Sequence, residues 1–281
     1  MRKGDTVALV CCSNGLLEES RRDVDQIERQ LTDLGIFVKK SPCLFQKDSV
    51  FSGSAKERAE ALMAAYTDDA VQAIFDLSGG DIANEILPFL NFSVIQESRK
   101  PFWGYSDLTT ILNAVYTRTG NTSVLYQVRN ILGAGDTLFA DSIFRDSVAT
   151  GGLGTFSYRW IQGTSMEGTL VGGNIRCLLK LAGTPYFPDM KDKILLLEAR
   201  SGQVAQMTAY LSQLQQMGVF EQIAGLLLGT FTQMQKELLQ PDIVHLVKQQ
   251  VRESLPIAKT EEIGHAITSK AVEIGGYYRF G

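Results

Sequence analysis

Short apolar runs alternate with amphipathic stretches through the first half of the chain, and this alternation most limits what it can fold into. "TVALVCC" reads as a buried strand. "LEESRRDVDQIERQLTDLG" reads as a helix, with Val24, Ile27, Leu31 and Leu34 at helical spacing and Gly35 suited to its end. "FVKKSPCLF" is a second, weaker strand. "SAKERAEALMAAYTDD" is a helix in which Ser54, three residues before Glu57, has the spacing of a capping box. "VQAIFDLSGG" is a third strand running into a glycine pair, "IANEILPFL" a short helix, "PFWGYS" a fourth strand and "DLTTILNAVYTRTG" a helix. Parallel strands need crossovers, and helices supply them here. The expected fold class is therefore α/β, with a Rossmann-like, doubly wound parallel sheet covered by helices on both faces.

Residues 135–168 change character, mixing one short helical piece with a Gly-, Ser- and Thr-rich stretch. A domain boundary is expected there: an N-terminal α/β domain over 1–145, a linker over 146–168 and a smaller C-terminal α/β domain over 169–281. In the second domain "GTLVGGNIRCLLKLAGTPY" has a turn-rich opening and then a helical run. "DKILLLEAR" and "IAGLLLGTF" read as buried strands. "MTAYLSQLQQMGVF" and "PDIVHLVKQQVRESL" read as helices, and the tail "EEIGHAITSKAVEIGGYYRF" alternates in strand fashion between glycine turns.

A net charge of −4, with Lys and Arg scattered, argues against a nucleic-acid partner. Four cysteines without a C-x-x-C pair and only two histidines are poor material for a zinc site, and no metal or other cofactor is expected. The thiols Cys11, Cys12, Cys43 and Cys177 read as reduced and mostly buried. The apolar run near the start spans only about six residues, short of the roughly 7–15 of a signal-peptide core. No segment reaches the ~18–20 apolar residues of a membrane span, so a cytoplasmic protein without a membrane partner is expected.

Ser106 draws attention because it sits where an apparent strand turns into a helix. Open α/β sheets bind ligands at the carboxyl ends of their strands. A serine there either caps the helix or presents its hydroxyl as a nucleophile. The N–H of Asp107 follows at a helix start, where amides favour negative charge and can serve an oxyanion. The stretch is not G-x-S-x-G, because Leu108 stands at the second glycine position.

A serine nucleophile needs a base. His245 is surrounded by Ile243, Val244 and Val247 and reads as an ordinary helix residue. His265, in "IGHAIT", occupies a loop from which an imidazole reaches a cleft or simply bonds locally. Glu198 follows Ile194–Leu197 at the end of a strand; it is either an exposed loop residue or a buried carboxylate that orients a histidine. Gly79 and Gly80 follow a strand and precede a helix. They form either a plain tight turn or a backbone that approaches a ligand and offers a second oxyanion amide. No dinucleotide or Walker A fingerprint is present.

Together these stretches resemble the serine LD-carboxypeptidase family, which includes the microcin C immunity proteins. The matching stretches are "GSAKERAEAL", "AIFDLSGGDIANEILPFL", "FWGYSDLTTILNAVYTRTG", "GTLVGGNIRCLLKLAGTPYFPDMKDKILLLEAR", "LSQLQQMGVFEQIAGLLLGTF" and "EEIGHAITSKAVEIGGYYRF", collinear over nearly the whole chain. The resemblance implies a metal-free two-domain hydrolase whose second domain carries a barrel-like sheet. It implies Ser106 as nucleophile, Glu198 as orienting carboxylate and His265 as base, with the N–H groups of Asp107 and of Gly80 or Gly79 as oxyanion donors. By the same resemblance the site is expected between the domains, and a homodimer is expected, as is typical of family members. The implied substrate is a short peptide with a free C-terminal carboxylate, the murein tetrapeptide ending in D-Ala, or else a peptidyl-nucleotide antibiotic whose base could stack on Trp160. A non-catalytic small-ligand binder is the reading from a different class.

Three stretches depart from the family pattern. Arg usually precedes the glycine pair and Tyr-Gly follows; here Ser78 precedes and Asp81-Ile82 follow. The carboxylate strand usually leads into a Glu-rich, Arg-containing helix start; here it reads "EARSGQVAQMTAYL". A usual His-Gly-Pro is replaced by "SVLYQVRN". The triad positions survive all three changes, whereas contacts to the substrate are open to change.

Overall fold

In the computed structural model of the chain, residues 1–133 and 155–281 are described. Two six-stranded sheets organise them, and the fold is two-domain α/β as expected, with the second sheet curled into a half-barrel. The first sheet contains β1 (Thr6–Val10), β2 (Phe37–Lys40), β3 (Val71–Asp76), β4 (Phe102–Gly104) and β5 (Ser123–Leu125), in the spatial order 5-4-3-1-2 and all parallel. Its crossovers hold α1 (Arg21–Asp33), α2 (Ala55–Thr67), α3 (Phe92–Ser98) and α4 (Thr109–Thr119). The order reverses between β1 and β3, and the crevice beyond their carboxyl ends is where such a sheet admits a ligand.

Successive side chains of a strand point to opposite faces, and the apolar residues divide accordingly. Val7, Leu9, Ala73, Phe75, Trp103 and Val124 pack against Val24, Ile27 and Leu31 of α1. Ala8, Val10, Ile74, Phe102 and Leu125 pack on the opposite side, against α2, α3 and α4. Ser54 caps α2 in the expected capping box, its hydroxyl accepting from the Glu57 N–H at 3.2 Å while Glu57 accepts from the Ser54 N–H at 2.8 Å. Residues Ala83–Phe89 form a 3₁₀ helix, the tighter winding expected where Pro88 lacks a donor.

The second sheet contains β6 (Arg159–Gln162), β7 (Met166–Asn174), β8 (Lys193–Ala199), β9 (Gly225–Phe231) and β10 (Ile257–Lys259). β7 through β10 are parallel, and β6 closes one edge antiparallel to β10. Two strands come from the tail. β11 (Val272–Ile274) adds antiparallel to β5 in the first sheet, and β12 (Tyr277–Phe280) adds antiparallel to β7 in the second. The tail therefore belongs to both sheets, which a division at a single linker does not anticipate. The segment 155–168, expected as the end of a linker, supplies β6 and the start of β7. "GTLVGGN", expected as a turn-rich opening, lies within the nine residues of β7. Residues 134–154, including the expected boundary at 145, lie outside the described residues.

One face of this sheet, through Val171, Leu195, Leu197 and Leu226, buries against Met207, Leu211 and Leu214 of a helix over Val204–Gln216. The other, through Leu170, Ile194, Leu196 and Leu227, joins the core that holds α4. The seam also contains a polar lock. Asn113 of α4 accepts from the Gly172 N–H at 2.8 Å and donates to the Gly172 carbonyl at 2.9 Å. One turn earlier, Thr109 Oγ1 accepts from the Asn174 N–H at 3.1 Å. Gly173 has φ +130°, and a Cβ there would lie 2.8 Å from Thr109 Oγ1, so only glycine lets β7 come this close to the helix. The helix that follows Ser106 is thereby fixed against the strand beside β8.

Candidate active site

Ser106 opens a single 3₁₀ turn between β4 and α4. Its φ is +56°, a left-handed conformation that a non-glycine residue adopts only when its surroundings impose it. The N-cap positions of this turn and of α4 are Tyr105 and Leu108, so helix capping does not account for Ser106. The sharp turn instead lifts the residue into the crevice at the end of β4.

Glu198, near the end of β8, is fully buried and accepts a 2.6 Å hydrogen bond from Nδ1 of His265. An ionised carboxylate only accepts, so this contact suits a proton on Nδ1, and the tautomer with that proton leaves the Nε2 lone pair free. Nε2 is buried and has no hydrogen-bond partner among the described residues. The ring lies over Tyr105, centroids 4.2 Å apart, and Tyr105 is the residue before Ser106. Burial, with the Glu198 charge adding to it, pushes the Tyr105 phenol well above its ordinary range, so it stays neutral. Glu198 and His265, 92 and 159 positions beyond Ser106 in the chain, thus meet each other beside Tyr105, the residue before Ser106.

Gly79 and Gly80 border the same crevice. Gly79 forms a single antiparallel bridge with Asn14 of the loop after β1. Gly80 has φ +129°, and a Cβ there would lie 2.2 Å from the Asn14 side chain. Beneath them Asp76 accepts from the N–H of Cys12 at 2.8 Å and of Ser78 at 2.7 Å, joining the ends of β1 and β3. Asp107 is fully buried; its carboxylate accepts from the Ser13 hydroxyl at 2.6 Å, the Ala83 N–H at 2.8 Å and the Lys180 ammonium at 2.5 Å.

A cleft of about 420 Å³ is lined by Ser106, Tyr105, Gly79, Gly80, Asn14, Gln127, Arg129 and Arg200, among others. Sequence reasoning did not single out the two arginines. Both stand in stretches that depart from the family pattern, and that departure was the available signal. Arg129 faces Asp23 at 3.5 Å. The Arg200 side chain is exposed and forms no ion pair among the described residues. Trp160 does not line the cleft; it packs edge-on to Tyr158 at 5.8 Å. His245 is an exposed helix residue, as expected, and its N–H is capped by Asp242 at 2.8 Å. All four cysteines are free and buried. No described helix is long and apolar enough to cross a membrane.

Two family models match the chain: the LD-carboxypeptidase N-terminal domain over residues 7–126 and the LD-carboxypeptidase C-terminal domain over residues 167–280. A "probable murein peptide carboxypeptidase" of Bacillus subtilis is 28% identical, covering 98% of this chain and 88% of its own length. Among solved structures, an MccF-like protein from Bacillus anthracis superposes with a TM-score of 0.87 at 26% identity, covering 99% of this chain and 94% of its own. MccF in complex with glutamyl sulfamoyl guanosine gives a TM-score of 0.87 at 17% identity, over 99% and 93%, a likeness of fold.

Proposed function

The chain belongs to the LD-carboxypeptidase family, and on that premise we propose that it is a serine hydrolase removing a C-terminal D-amino acid from short murein-type peptides. The observation that carries this reading is the buried 2.6 Å pair of Glu198 and His265, with Nε2 unpartnered beside the turn that holds Ser106.

In this reading Nε2 takes the Ser106 proton as Oγ attacks the carbonyl of the terminal L–D amide. The tetrahedral oxyanion is met by the N–H of Asp107 and by one from the Gly79–Gly80 pair. His265 then protonates the departing amine, leaving an acyl-enzyme on Ser106. Water, deprotonated by His265, releases the shortened peptide. Glu198 holds the tautomer and stabilises the imidazolium formed in each half-reaction.

The substrate's free carboxylate suits the cationic wall of the cleft, where Arg200 has no competing ion pair among the described residues. A nucleotide-bearing substrate, suggested by the MccF complex, would want a stacking ring for its base. Tyr105 is the one aromatic among the described lining residues, and its ring is already engaged by His265, 4.2 Å away and tilted 51° to it. This favours the murein peptide.

The test is release of D-Ala from L-Ala-γ-D-Glu-L-Lys-D-Ala, followed by mass spectrometry for the wild type and Ser106→Ala. A loss of at least about a thousandfold in the variant is expected. Equal rates would remove Ser106 from the mechanism.

A further inference from the structure

Two cations reach across the seam to the site without entering the cleft. Both come from α5 (Ile175–Leu179) and the residue that ends it, in the second half of the chain. Arg176 and Lys180 are four apart and share a helix face. Arg176 donates to the Gly80 carbonyl at 3.0 Å and pairs with the Asp81 carboxylate, which it holds below its ordinary range. Lys180 donates to the Asp81 carbonyl at 2.8 Å and to Asp107 Oδ1 at 2.5 Å.

The Asp107 end of this contact is fully buried, and the Lys180 side chain is only 19% exposed. The second carboxylate oxygen, Oδ2, accepts from Ser13 in the loop after β1 and from Ala83 beyond the glycine pair. One carboxylate therefore ties together three segments: the loop after β1, the turn after the glycine pair, and the helix end of the second sheet. Its own backbone belongs to the residue that follows the nucleophile. The amides assigned to the oxyanion thus lie on two separate segments, and Lys180 binds both of them.

We propose that Lys180 is a positioning residue that fixes the Asp107 backbone and the Gly79–Asp81 turn in mutual register, so that the two oxyanion donors converge. This rests on the hydrolase reading above. Its charge cannot be replaced by a neutral group of the same length, because Asp107 would be left buried with neutral donors only. Oxyanion donors act by being preorganised, and a misplacement near 1 Å costs about a hundredfold in rate.

The experiment compares wild type, Lys180→Met and Lys180→Arg in two measurements on the full chain. Backbone amide exchange by mass spectrometry is expected to accelerate about tenfold or more over residues 79–83 and 107–109 in Lys180→Met, with β8 and β9 unchanged. Unchanged exchange in those segments overturns the proposal, whatever the activity. Tetrapeptide turnover is expected to lose about 10–100-fold in kcat with little change in KM. Lys180→Arg should recover most of both losses; failure of arginine to rescue, or a loss carried by KM alone, overturns it. If Lys180→Met does not fold, Lys180→Met combined with Asp107→Asn removes both charges. That pair is expected to fold with the two segments still loosened, and native protection in it overturns the proposal. A wild-type rate no greater than that of Ser106→Ala would sink the hydrolase reading, while the exchange result would still decide the role of Lys180.

Discussion

Asn113 meets Gly172 across the seam between the two sheets, its side-chain amide satisfying both the N–H and the carbonyl of one residue, at 2.8 and 2.9 Å. Asn113 lies on the helix that follows Ser106, and Gly172 on the strand beside the one that carries Glu198. The pair fixes how far the helix after Ser106 stands from β7 and, through it, from the neighbouring strand that bears Glu198. Hydrophobic contact alone would permit sliding here, whereas a two-bond amide match sets the register.

Replacing Asn113 with Ala should expose that dependence. It leaves a buried N–H and a buried carbonyl unpartnered, each costing about 1–3 kcal/mol. A destabilisation of roughly 2–5 kcal/mol is expected in urea unfolding. A change below about 0.5 kcal/mol would mean that the seam relaxes around the loss.

Glu198→Gln keeps the volume but offers an amide to Nδ1. The amide N–H favours a proton on Nε2 instead, the wrong tautomer for a base. D-Ala release should fall about 10³–10⁴-fold, with an unchanged circular dichroism spectrum. A fall under tenfold would show that His265 keeps its working tautomer without the carboxylate.

Arg200→Ala tests recognition of the substrate carboxylate. A hydrogen bond to a charged group contributes about 1.5–3 kcal/mol, or roughly 10–150-fold in binding. KM for the tetrapeptide acid should rise by that factor, while hydrolysis of the C-terminal amide analogue should be unaffected. Equal effects on acid and amide would place the arginine's role elsewhere.

Burial pushes the Asp76 carboxyl from its ordinary 3.8 up to about 6, against hydrogen bonds from Ser78 and Cys12 that favour its charge. Between those values the folded protein keeps a proton that the unfolded chain has lost. The stability from this group is full below about pH 4 and is lost as pH rises through about 6. The shift of about two units corresponds to roughly 3 kcal/mol. Urea midpoints measured across this window should decline with rising pH in the wild type, and the decline should be shallower by about this amount in Asp76→Asn. Parallel slopes in the two proteins would show that Asp76 ionises normally in the fold.

The parallel sheet was legible because all its parallel strands but the edge strand β2 are apolar on both faces and its helices carry one apolar face, so the residues themselves state their burial. Val24, Ile27 and Leu31 fall where the 3.6-residue period puts them. "GTLVGGN" was misread because glycine usually signals a turn. In β7 its glycines serve close packing instead, with Thr109 filling the space a Cβ at Gly173 would take. The tail was legible as strand but not as two strands of different sheets, because pairing partners more than a hundred residues away leave no local mark.

For the site, the residues that could carry chemistry were visible singly: a serine at a strand-to-helix turn, a glutamate ending an apolar strand, and one histidine in a loop. The family pattern, not spacing, grouped them. The tertiary structure alone decided the 2.6 Å contact of Glu198 with His265, the left-handed Ser106 and the placement of Arg200 in the cleft. Lys180 left no signal at all, since a lysine at a helix end is ordinary until a buried carboxylate from the other sheet lies 2.5 Å away. Sequence by itself determined which segments bury and in what local form, because hydrophobic period and backbone preference act over a few residues. Which charged and polar groups meet was decided only when the two sheets closed on α4, because desolvation and hydrogen-bond geometry depend on neighbours that the chain brings from far away.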